Sequence, residues 1–137
     1  MIFRENMQEE LIEKLIEAAK LVRQRAYAPY SNFNVGAAVL CDGGRMFSGA
    51  NVENASFGLT ICAERSAVFS AVSAGCRKIK AIAIAANGKA FPCGACRQVI
   101  AEFADESAAI VIVNTEDDTI IKTTVGELLP NAFKFSR

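Results

Sequence analysis

Apolar and polar positions follow two periods along the chain, and each change of period marks a new element. Between residues 7 and 27, Leu11, Leu15, Ala19 and Val22 recur at helical spacing with Ile12 and Ile16 beside them, which predicts an amphipathic helix. Asn6 followed by Glu9 has the spacing of a capping box at its start. Pro29 disfavours helix in the residue before it and closes the segment. Residues 33–40 and 46–53 then read as strands around Asp42-Gly43-Gly44, a hairpin signal. A second helix opens near Cys62 and stops at Gly75. Residues 79–86 alternate Lys and Ala with Ile, as a strand does. A third helix begins at Pro92 or Cys93, since proline suits the first helical turn. Residues 109–114 and 120–123 predict two further strands, and 125–129 a short last helix.

The order αββαβαββα implies an α/β fold in which helices cover a mixed five-stranded sheet. The first two strands form an antiparallel hairpin. The connection 115–119 is too short for a parallel crossover, so strands 4 and 5 are expected to be antiparallel neighbours. The strands flanking the two cysteine-bearing helices are expected to run parallel through right-handed crossovers. No repeat, linker or low-complexity tract interrupts the pattern, so residues 1–137 read as a single domain.

Composition narrows the function. The chain is 52% hydrophobic and 22% charged with a net charge of zero, so it lacks the basic surplus of a nucleic-acid binder. No apolar run is long enough to span a bilayer and the first ten residues are charged, which reads as a cytoplasmic protein without a membrane partner. In that setting the five cysteines are expected to be reduced thiols, with Cys41 and Cys76 acting as small buried hydrophobes. There is no histidine. That removes Ser-His-Asp and Cys-His catalysis, and leaves thiolates and carboxylates to hold any metal.

Cys93 and Cys96 stand at i and i+3 in an opening helical turn, about 5–6 Å apart at Cβ, close enough to grip one tetrahedral ion. Cys62 supplies a third sulfur from the start of another helix. The positive ends of both helices favour thiolate over thiol. Three protein ligands leave a fourth position open, which is the pattern of a catalytic zinc site rather than a structural one. Cys41 or Cys76 could complete a closed four-cysteine site, but neither has the spacing of a zinc knuckle. Glu64, two residues past Cys62, is placed to move protons at the open position. Three thiolates overcompensate Zn²⁺, so Arg65 and Arg97 are candidates to balance the excess charge around the ligands.

These residues, Cys62-Ala63-Glu64 with Pro92-Cys93-Gly94-Ala95-Cys96-Arg97-Gln98, resemble the small, homotetrameric, zinc-dependent cytidine deaminases of the three-cysteine type. The likeness runs almost end to end through Tyr27-Ala28-Pro29-Tyr30-Ser31-Asn32-Phe33, Val35-Gly36-Ala37-Ala38, Asn51-Val52-Glu53-Asn54-Ala55 and Glu127-Leu128-Leu129-Pro130. It implies a three-layer cytidine-deaminase-like fold, one Zn²⁺ per subunit held by Cys62, Cys93 and Cys96, and Glu64 as the catalytic acid and base. It also implies a nucleoside substrate bound by Phe33, Asn51, Glu53 and Ala63. Phe133 matches a C-terminal phenylalanine contributed to a neighbouring subunit's site, and equally could staple the tail to its own domain. Phe57 stands where many relatives have tyrosine, and the loop 87–91 looks shorter than usual.

The implied reaction is hydrolytic deamination of cytidine and 2′-deoxycytidine to uridine and 2′-deoxyuridine with release of ammonia, a step of pyrimidine salvage. On the bare residues, Asn51 and Glu53 at i and i+2 of a strand face one side, as a pair that reads a sugar diol needs. The alternatives are a related zinc deaminase acting on another aminopyrimidine nucleoside such as a blasticidin-like antibiotic, an editor of polynucleotide, and a non-catalytic structural zinc module.

Overall fold

A computed structural model describes the backbone of residues 2–135 and the side chains from Gln8 onward. Its elements are α1 (Ile2–Arg23), β1 (Val35–Cys41), β2 (Met46–Ala50), α2 (Ala63–Ser73), β3 (Ile79–Ala86), α3 (Gly94–Phe103), β4 (Ala104–Asn114), β5 (Ile120–Thr124) and α4 (Val125–Leu128). The expected order αββαβαββα is therefore present, with short 3₁₀ turns at Asp42–Gly44 and Phe57–Leu59.

The five strands form one mixed sheet in the order β2-β1-β3-β4-β5. β1 pairs antiparallel with both β2 and β3, β3 pairs parallel with β4, and β4 pairs antiparallel with β5 as its short connection requires. β2 and β3, which flank α2, thus point the same way, but β1 lies between them.

The Ile–Ala alternation of β3 explains the three layers. Ile82 and Ile84 face α2 and α3, and pack with Ala67, Val68, Ala71, Ile100 and Ile110. Ala81, Ala83 and Ala85 face the other way and meet Leu15, Ile16 and Ala19 of α1. Small residues on that face let the helix lie close to the sheet. Two glycines carry the same logic to the limit. A Cβ at Gly36 would sit 2.1 Å from Ala19 O, and one at Gly49 would sit 2.5 Å from Ala67 N, so α1 and α2 each rest on a residue without a side chain.

Five expectations need correction. β2 ends at Ala50 rather than residue 53, so Asn51 and Glu53 lie beyond the strand on either side of Val52, which makes isolated bridges to Tyr27 and Ile61. α1 already begins at Ile2, so positions 6 and 9 lie inside the helix and the expected start at residue 7 is too late. It ends at Arg23 rather than residue 27, because Tyr27 N–H donates to Asn51 O and the chain turns to bridge Val52. β4 starts at Ala104, five residues early: Ile79 pairs with Ala104 across a bulge, and the polar run Asp105-Glu106-Ser107 gives no apolar signal of it. Most important, Cys41 and Cys76 are not free thiols. The end of β1 and the residue after α2 come within 6.1 Å at Cα, inside the range for bridging, and the two cysteines form a buried disulfide.

Candidate active site

α2 and α3 converge with their N-terminal ends together, and Cys62 and Cys93 are the N-cap residues. A cap position ordinarily holds Ser, Thr, Asp or Asn, whose side-chain oxygen accepts an orphan helix N–H and stabilises by about 1 kcal/mol. Here both residues have extended backbone and neither side chain makes a capping bond. Local stability is given up, and two sulfurs are left free.

Cys96, fully buried in the first turn of α3, completes the group. Its Sγ lies 3.5 Å from Cys93 Sγ, and the three sulfurs all lie within 4.8 Å of one another. A tetrahedral ion with Zn–S bonds of about 2.3 Å separates its sulfurs by about 3.8 Å, so the cluster fits zinc with small adjustments. The disulfide removes Cys41 and Cys76 as donors, so neither can close the site. The hydrogen bond from Cys96, and then Arg65 beside it, hold the Cys62 thiol down to about 5. The same bond, together with burial, pushes the Cys96 thiol far above its ordinary range. Thiolate is thus favoured at Cys62 and thiol at Cys96.

Arg65 lies against the cluster, with Nη2 donating to Cys62 Sγ at 3.4 Å. Its Nε is buried without a partner. Arg97 is engaged differently. Nε donates to Pro92 O at 2.7 Å and Nη1 to Leu128 O at 2.8 Å, so its guanidinium is directed at carbonyls, with no bond to a sulfur. It ties the start of α3 to the end of α4.

Glu64, the second residue of α2, is only 6% exposed. Burial first, and then the charge on Cys62, raise its carboxyl above the usual carboxylate range. It opens into a cavity of about 190 Å³ that also has Cys62, Cys93, Ala63, Asn51 and Phe33 in its walls. The structure thus gathers six of the residues singled out in the sequence around one small space. Thr60, Ile61 and Phe91 complete much of the wall, and nothing in their local pattern marked them.

Asn51 is buried and half occupied. Its Oδ1 accepts Val35 N–H at 2.9 Å and its Nδ2 donates to Phe33 O at 2.7 Å, which leaves one amide proton for another partner. Glu53 faces the adjoining space, bordered by Tyr30, Ser31, Phe57 and Thr60. Its carboxylate accepts Tyr30 N–H at 2.9 Å, Ser31 N–H at 3.1 Å and the Ser31 hydroxyl. The hydroxyl leads in holding the Glu53 carboxyl below its usual value. Phe133 does not reach this cavity. It is 72% exposed, its ring leans on Phe135, and its carbonyl accepts from Gln98 Nε2 at 3.2 Å.

A family profile described as the cytidine and deoxycytidylate deaminase zinc-binding region matches residues 9–121. The chain belongs to this family. A cytidine deaminase from Sporosarcina psychrophila is 51% identical over 124 residues, covering 89% of this chain and 90% of that protein. The crystal structure of cytidine deaminase from Burkholderia pseudomallei superposes with a TM-score of 0.83 at 51% identity, covering 88% of this chain and 98% of that one. That of Mycobacterium tuberculosis superposes with a TM-score of 0.77 at 38% identity, covering 90% and 97%. As a member of this deaminase family, the protein is a zinc-dependent hydrolase with one zinc ion per subunit, and the three-cysteine cluster is the place in the fold that suits the ion.

Proposed function

We propose that the protein hydrolyses cytidine and 2′-deoxycytidine to uridine and 2′-deoxyuridine with release of ammonia. The observation that carries this reading is a buried carboxylate, Glu64, opening into the same small cavity as Cys62 and Cys93. The cytidine deaminases that resemble the chain along nearly its whole length support the choice of substrate.

Cys62, Cys93 and Cys96 would hold the zinc ion, which would supply Lewis-acid activation of water. Glu64 supplies the proton path. Its carboxylate accepts a proton from the water that attacks C4 and delivers it to N3, then takes the proton of the hydroxyl formed at C4 and passes it to the departing amine, which leaves as ammonia while the C4 carbonyl remains. Burial raises its affinity for that proton, which suits a group that must both take and return it near neutral pH. Arg65 offsets part of the charge of three thiolates through its bond to Cys62. Arg97 steadies the ligand loop through Pro92 O. Ala63 and Phe33 shape the pocket for the base, the spare amide proton of Asn51 is offered to the sugar, and Glu53 waits at the sugar end.

A structural zinc module has no use for a buried acid beside an open ligand position. The deciding experiment measures zinc content together with ammonia release from cytidine for the wild type and Glu64→Gln. Retained zinc with turnover reduced at least about a thousandfold is expected, in keeping with loss of general acid–base catalysis. Equal turnover in the two proteins would overturn the assignment.

We further propose that residues 1–137 act as one domain, in a homotetramer of the cytoplasm. Phe57, Leu59, Phe133 and Phe135 are each more than 70% exposed, an apolar surface that subunit contact would cover. Phe133 lies outside the cavity of its own chain, which favours its acting in a neighbour's site. Among the described residues, no helix is long and apolar enough to cross a membrane.

A further inference from the structure

The residues that meet the nucleoside in the reading above are joined by one hydrogen-bonded chain, and its hub is a residue with no assigned part. Ser31 lies in the turn between α1 and β1. Its hydroxyl donates to Glu53 Oε2 and accepts Phe33 N–H at 3.0 Å. Its own N–H donates to Glu53 Oε1, beside that of Tyr30. On the far side of Phe33, its carbonyl accepts from Asn51, which also takes Val35 N–H. Phe33, Asn51 and Glu53 therefore cannot move independently. The link between Phe33 and Glu53 runs through a single oxygen.

A carboxylate offers about four acceptor directions. The backbone N–H groups of Tyr30 and Ser31 fill Oε1 of Glu53, and the Ser31 hydroxyl takes one of the two directions on Oε2, so a single direction on Oε2 is left open. Without that bond Oε2 loses its one protein partner and both its directions open to the space bordered by Tyr30, Phe57 and Thr60, while Oε1 keeps its two backbone bonds. We infer that Ser31 is a positioning residue for the sugar end of the site: it presents one oxygen of Glu53 to a single ribose hydroxyl and holds Phe33 in register with it. Ser31 does not touch the metal cluster or Glu64. Its contribution is therefore to substrate binding and not to the chemical step.

This inference rests on the proposal that Glu53 contacts the sugar, and the test separates the two. The zinc-loaded wild type, Ser31→Ala, Ser31→Thr and Glu53→Gln are compared with cytidine and with 3′-deoxycytidine, which lacks one ribose hydroxyl. Ser31→Ala is expected to raise KM for cytidine about tenfold, the scale of a solvent-accessible hydrogen bond to a charged group. Its kcat and zinc content should stay at the wild-type level, and the change should be much smaller with 3′-deoxycytidine. Ser31→Thr, which keeps the hydroxyl, should restore KM. If Glu53→Gln discriminates between the two substrates while Ser31→Ala changes nothing, Ser31 has no positioning role and the sugar reading survives. Should Glu53→Gln treat both substrates alike, the sugar reading fails and the inference falls with it. A loss of kcat and zinc in Ser31→Ala, equal for both substrates, would make the role structural and overturn the inference.

Discussion

Replacing Gly49 by alanine tests whether the seating of α2 on β2 sets the active site. The new Cβ would lie 2.5 Å from Ala67 N and 2.7 Å from Ser66 C, whereas ordinary contact begins near 3.4 Å. The closest atom is helix backbone, so no side-chain rotation relieves the overlap, and α2 must retreat by about 0.9 Å. Cys62 and Glu64 sit at the start of that helix and move with it. Overpacking of this kind costs about 1–3 kcal/mol, which for a domain of this size lowers Tm by about 3–10 °C. The effect on rate should be larger in proportion, since a misplacement near 1 Å costs about a hundredfold. We expect Gly49→Ala to fold, to keep a lower melting temperature by calorimetry, and to release ammonia from cytidine about a hundredfold more slowly at 25 °C. Gly36→Ala is the control. Its Cβ collides with Ala19 O and Arg23 N of α1, on the opposite face of the sheet, so stability falls while activity per folded molecule is largely kept. A Gly49→Ala protein with wild-type Tm and turnover would refute the idea that this contact fixes the site.

Two further outcomes can be checked directly. Thiol titration of the denatured, zinc-stripped protein should count three free cysteines, because Cys41 and Cys76 are bonded; five would overturn the pairing. The bond closes a loop of 35 residues, so the double change Cys41→Ala, Cys76→Ala should cost up to about 4 kcal/mol of stability and leave zinc content unchanged. Analytical ultracentrifugation should show a tetramer, and Phe133→Ala should raise KM for cytidine without changing zinc content. A monomer with full activity would rule out sites completed by neighbouring chains.

The cysteine cluster was readable because its parts are short-range. Cys93 and Cys96 are three residues apart, and Pro92 marks the helix start that turns this spacing into a pair of neighbouring sulfurs. Glu64 is fixed to Cys62 by the same helical turn. The strand β3 was legible for a similar reason, since its Ile–Ala alternation records two buried faces of different width.

What the amino-acid sequence by itself determined is thus everything carried by neighbours along the chain: the order of elements, the three sulfurs, the adjacent acid and the antiparallel closure of β4 and β5. Tertiary structure decided what depends on residues far apart. It placed β1 between β2 and β3 and left β3 at the centre of the sheet, brought Cys41 to Cys76, and aimed Arg97 at Pro92 and Leu128 instead of at a thiolate. It also gave Asn51 and Glu53 internal partners in the turn before β1, which no local pattern records. Local spacing fixes which side chains share a helical turn or a strand face. Which distant backbone groups those side chains then satisfy depends on how the layers pack, and a period of 2 or 3.6 carries no information about that.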